Sequence, residues 1–266
     1  MLFGLVQDKA PLEEDSVQWL FETYAWALNN FGSDVFFNET VLVLPTNSFF
    51  PGNANNSHDM ASLIFDQVKK YAGLEHWPCK LQDQSSCNTE TIPKVMIEGA
   101  LRGSKGVASE TVADDSKLLI TYNPDQVKNP EVLIASYAHM LSHYLGAMAK
   151  MPSPGGEEYW PHTTEVLAAF MGFGLIFSNS AYSFNRNKCG SCAGAIPERS
   201  AYLSQYEMTY AFAIFCVLKN VHNKEVLPHL KKSLRSFYRK SVIDINKRQQ
   251  DLKLLKTIDT SLAVSS

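Results

Sequence analysis

Two histidines stand one helical turn apart in His139-Met-Leu-Ser-His143, the spacing in this chain best suited to chemistry. Imidazoles at i and i+4 leave one face of a helix together and can share a single divalent ion. Alone this is a weak signal, because seven histidines give such a spacing many chances to arise. The surrounding wheel adds to it. Leu133, Ile134, Tyr137, Leu141, Tyr144, Leu145 and Met148 form an apolar stripe, and the histidines lie off it among Ala135, Ser136, Ser142, Gly146 and Ala147. Small residues let a second element approach closely and leave the imidazoles in a cleft, whereas a merely solvated face more often carries Lys, Glu or Gln.

Glu165 is the only charge in an otherwise apolar stretch reaching to Asn179, and it shares a face with Ala168, Ala169 and Gly172. A buried carboxylate needs a partner, since its desolvation otherwise costs several kcal/mol or forces protonation. A metal held by His139 and His143 is one such partner; the N-terminal turn of its own helix is the other. The cysteines offer a second centre. Cys189-Gly-Ser-Cys192 is a chelating knuckle, and Cys79 and Cys87 form a looser pair. Together the four could hold a structural zinc, or they could stand as a labile disulfide and free thiols. A thioredoxin-like role fits poorly, because this knuckle does not open a helix after a strand. Cys216 sits in an apolar run and reads as packing.

These residues need elements to place them. Periodicity predicts helices over residues 14–30, 58–71, 130–150, 164–179, 205–221 and 226–256. Asn129-Pro130 is a helix start with a side-chain cap and a first-turn proline, and Ser204-Gln-Tyr-Glu207 matches a capping box. Strands are expected at residues 41–44, 94–97 and 117–121. Residues 46–56 form a Pro/Gly/Asn-rich loop carrying two exposed-looking aromatics, Phe49 and Phe50, a candidate contact surface. Strands first and helices later imply an α+β fold, mostly helical, in one domain over residues 1–266: a mixed part to residue 125 and a helical part from 126.

Taken together, His139, His143 and Glu165 resemble the zincin superfamily of metallopeptidases in its gluzincin arrangement. There one helix carries HExxH and a following helix contributes a glutamate. Glu165-Val-Leu-Ala168 looks like the ExxA of that second helix, and residues 117–121 stand where a zincin places its edge strand. The likeness spans residues 117–177, under a quarter of the chain, and residues 137–184 look like bacterial proteins with a zincin-like core. It implies zinc bound by His139, His143 and Glu165. One departure bears on activity. The glutamate that would take a proton from the metal-bound water is replaced by Met140, and loss of a general base costs about two to four orders of magnitude in rate. The metzincin variant fits worse, because its third histidine position is Ala149. Glu157, Glu158 or His162 could serve as a substitute base; the plainer reading of the two glutamates is a solvated loop.

Composition narrows the rest. A 45% hydrophobic, 11% aromatic chain buries a sizeable core. A net charge of -3 argues against a nucleic-acid partner. The late basic run Lys231, Lys232, Arg235, Arg239 and Lys240, interleaved with Leu230, Leu234 and Phe237, reads as the solvated face of an amphipathic helix. The first residues lack the pattern of a signal peptide, and the apolar run over residues 166–177 is too short to span a bilayer, so the expectation is a cytoplasmic protein off the membrane. The expected function is a zincin-like divalent-metal-binding protein without ordinary peptidase activity, engaging a protein or peptide partner. The competitors are an active metal-dependent hydrolase using Glu157 or Glu158, and a helical interaction domain without metal.

Overall fold

Apolar residues recurring at helical spacing draw most of the chain into helices around one core, and the computed structural model describes residues 10–84, 97, 99–107, 117–180 and 201–258. Helix α1 (Glu14–Phe31) buries Val17, Leu20, Phe21, Tyr24 and Leu28, with Glu14 and Asp15 in its first turn favouring the helix dipole. A π-turn, Val35–Glu39, follows. Helix α2 (Ser57–Ala72) is capped by the Asn56 side chain, which accepts from the Asp59 amide, and it ends at Gly73. Strands β1 (Cys79–Asp83) and β2 (Leu118–Tyr122) pair in parallel, with Leu81 opposite Ile120.

Helix α3 (Pro130–Ala147) carries the histidines and packs against β2, α2 and the two helices that follow it. Those are α4 (Gly156–Ala168) and α5 (Gly174–Ser180), joined by a π-turn over Ala169–Phe173. Helix α6 (Gln205–Leu218) is buried along nearly its whole length. The chain closes with α7 (Asn223–Val226), α8 (Arg235–Lys247) and α9 (Gln249–Thr257), the last of which packs back on α1. The architecture is mostly helical α+β with a small parallel sheet, as composition and periodicity lead one to expect. No helix among the described residues is long and apolar enough to cross a membrane.

Several local expectations give way to tertiary forces. Residues 41–44 are not a ladder strand: among the described residues, their one backbone bond to another element runs from the Val43 amide to the Gly172 carbonyl, at 3.0 Å. The continuous helix expected over residues 164–179 instead begins at Gly156 and breaks at Gly172, where φ is +100°. The single helix expected over residues 226–256 splits into α7, a 3-10 turn, α8 and α9, with Pro228 early in it and Arg248 at φ -85°, ψ 59° between the last two. Strand β1 was not expected because its five residues offer only two apolar positions, Cys79 and Leu81, and Lys94, Val95 and Met96 of the expected 94–97 strand lie outside the described residues. Asn129 makes no side-chain cap; its carbonyl takes the Val132 and Leu133 amides instead. Phe49 and Phe50 are half-buried against Tyr71, their ring centroids 5.1 and 6.1 Å from it, rather than exposed. The capping box does form, with the Glu207 amide 3.2 Å from Ser204 Oγ and the Ser204 amide 2.8 Å from Glu207 Oε2.

Candidate metal centre on the histidine helix

Helix α3 is buried on most sides, and its least buried stripe runs through Val132, Ser136, His139, His143 and Ala147. Among the described residues, the histidines therefore share the least buried face of α3. Close packing on their flank comes from Gly146: a Cβ built there would stand 2.6 Å from the Trp160 ring and 3.0 Å from Leu167. The approach of a second element at the small residues is thus realised, by α4. Trp160 also covers His143 edge to face, ring centroids 5.7 Å apart. Burial and the nearby His143 push the His139 imidazole down to about 4, and burial lowers His143 as well. Both rings are neutral at neutral pH, which is the ligating form.

Glu165 is buried on α4, 6% exposed, as its sequence context requires. Its partners are backbone amides: Tyr202 N–H donates to Oε1 at 3.0 Å and Leu203 N–H to Oε2 at 2.9 Å. Burial pushes its carboxyl up to about 7, with the two amide bonds pulling the other way. The carboxylate braces the turn that leads into the Ser204 capping box. Among the described residues, no three His, Cys, Asp or Glu side chains gather into a set that could hold a metal ion. The pair of imidazoles fits two positions of a divalent site. The three-ligand set implied by the resemblance is not gathered among the described residues, and Glu165 instead holds the Tyr202–Leu203 turn.

The remaining candidates separate. Glu157 and Glu158 stand exposed in the first turn of α4, not in a loop, because the helix starts eight residues before Thr164. His162 lies inside that helix, among Trp19, Tyr159 and Tyr202. Trp19 Nε1 donates to the Pro154 carbonyl at 3.1 Å and its ring lies 5.7 Å from that of Tyr159, which ties α1 to the start of α4. Met140 is core, 3% exposed. Cys79 is a half-buried thiol on β1 that burial pushes up to about 11. Its proposed co-ligands Cys87, Cys189 and Cys192 lie outside the described residues. Cys216 is buried in α6, its thiol pushed up to about 12, in keeping with inert packing.

The basic run is solvated at Lys231, Lys232, Arg239 and Lys240 while Leu230 and Leu234 are buried. Sequence reasoning passes over Arg102, which turns out to be one of the largest fully buried side chains. A lone arginine in Leu101-Arg102-Gly103-Ser104 carries no periodic or spacing signal that could have marked it. No protein family model, curated protein or solved structure matches the chain.

Proposed function

We propose that this is a divalent-metal-binding protein without ordinary peptidase chemistry, its ion taken by the imidazoles of His139 and His143. The observation that carries the reading is the pair of imidazoles one turn apart on the least buried stripe of α3. In this reading Glu165 holds the Tyr202–Leu203 turn, and solvent or a partner's side chain completes the coordination. Zinc suits imidazole ligands, and the two rings would fill two of its four tetrahedral positions. With methionine at position 140, no carboxylate adjoins the first histidine to accept a proton, so the function is binding, with a protein or peptide as the partner class.

One observation favours a second reading, a helical interaction scaffold without metal. Glu165 already has two amide donors and does not require a cation to satisfy it. Metal content separates the two. After zinc loading and exhaustive dialysis, elemental analysis is expected to find about one equivalent in the wild type. His139→Ala and His143→Ala should each lose it, while Glu165→Gln and Cys189→Ala retain it. Zinc lost only in Cys189→Ala would move the ion to the cysteines. No retained zinc in the wild type would leave the scaffold reading.

A further inference from the structure

Away from the histidine helix, the C-terminal end of α2, the segment after the Val35–Glu39 turn and the loop around Arg102 line a half-open cavity of about 400 Å³. That is within the size range of small-molecule sites. Thr40, Lys70, His76, Arg102 and Ser104 contribute to its wall, together with the carboxylates of Glu39 and Glu75. Arg102 is 2% exposed. Its Nε donates to the Ala72 carbonyl at 2.9 Å and its Nη2 to Thr40 Oγ1 at 3.2 Å. Its Nη1 is buried with no acceptor. The guanidinium lies over the Phe170 ring, 5.2 Å from its centroid, in the broken turn between α4 and α5.

A buried guanidinium is strongly unfavourable without a counter-charge. Burial holds this one well below its ordinary range, at about 10, which still leaves it cationic at neutral pH. The carboxylate that acts on it is Glu39, yet Glu39 makes no ion pair with it. Both Glu39 oxygens are taken by Ser104, Oε2 by the amide at 2.8 Å and Oε1 by the hydroxyl at 3.0 Å. His76 adds a second unsatisfied atom to the same wall, its buried Nε2. Lys70 stands exposed at the rim and adds a second positive charge, with Glu75 opposite it in sign.

We infer that this cavity binds a small molecule through an oxyanion group, a carboxylate or a phosphate, with Arg102 as its counter-charge and Lys70 at its mouth. An oxyanion supplies what the guanidinium lacks, since arginine's planar donors match carboxylate and phosphate oxygens. His76 Nε2 can meet a further oxygen of the same ligand. The inference is independent of the histidine pair, so either can fail without the other.

The test is thermal denaturation and calorimetric titration of the full chain with inorganic phosphate and with succinate, each against sodium chloride at matched ionic strength. At 10 mM of the preferred anion the melting temperature should rise by about 5 °C over the salt control. A response to phosphate alone assigns a phosphoryl ligand, a response to succinate alone a carboxylate ligand, and a response to both a bare oxyanion site. Arg102→Met should abolish the response. Lys70→Met, at an exposed position that tolerates change, should weaken the dissociation constant by about fivefold and decides the matter if Arg102→Met does not fold. A wild type indifferent to both anions, a folded Arg102→Met that responds like the wild type, or an unchanged constant in Lys70→Met would each overturn the inference.

Discussion

At position 140 the side chain belongs to two arguments at once. As the neighbour of His139 it leaves the histidine pair without an adjoining carboxylate, and as a residue of α3 it lies in the hydrophobic core, 3% exposed. The second role explains why methionine suits the site: a carboxylate there would lose its hydration without a cation in compensation. Met140→Glu is therefore expected to lower the unfolding free energy by about 3 kcal/mol, read from urea denaturation, and to leave peptide hydrolysis undetectable. A variant as stable as the wild type that hydrolyses peptides would contradict this. Glu165 shows the converse at the same scale. Its need for a partner is legible from its isolation among apolar residues, but the partners are two backbone amides thirty-seven and thirty-eight positions away. No side-chain pattern announces an amide donor, because every residue but proline has one.

The helical elements that carry these side chains are held apart and together by particular small residues. Between α4 and α5 the chain turns through Gly172 at φ +100°, and a Cβ there would come 2.2 Å from the Val41 carbonyl oxygen. The backbone of residues 41–43 is thereby pressed onto the break, with the Val43 amide bonded to the Gly172 carbonyl. Gly172→Ala should cost about 3 kcal/mol, from the left-handed conformation and the carbonyl clash together, measured as a lower urea midpoint with the slope unchanged. A change under about 0.5 kcal/mol would show that the break tolerates a side chain. Helix existence was legible in the periodicity of every long apolar segment, and the capping box of α6 was legible to the residue. The breaks were not. A run such as residues 164–179 is apolar nearly all round, so its pattern gives no hint of which turn must open to admit a neighbouring backbone.

Charges and packing join the first and last described helices. Arg248, between α8 and α9, donates Nη1 and Nη2 to Glu14 on α1 at 2.6 and 2.8 Å and Nε to Asp244 at 3.1 Å. Asp244 in turn accepts from the Tyr210 hydroxyl of α6 at 2.6 Å. The Arg248 hydrogen bond holds the Glu14 carboxyl below the usual range. Glu14 is well exposed, so the fork to it adds modestly and is screened by salt, while the partly buried Asp244 arm adds more. Arg248→Met should lower stability by about 1–2 kcal/mol in low salt, with part of the difference gone at 1 M sodium chloride. Thermal denaturation at the two salt concentrations checks this; equal melting temperatures for both proteins would show that apolar packing alone docks α9 on α1.

By itself the sequence determined the mostly helical α+β class, the histidine pair on one helical face, the absence of a glutamate beside it, and the solvated basic face near the C-terminus. Each of these depends on side-chain period along a single element, which a linear pattern records. Tertiary structure alone decided that Glu165 braces the turn before α6, that β1 pairs with β2, that Gly172 opens a helix, and that Arg102 is buried beside a cavity. These depend on which backbone groups and charges meet across long stretches of chain. Such meetings are set by the three-dimensional demand that buried polar groups find partners, and spacing along the chain carries no record of it.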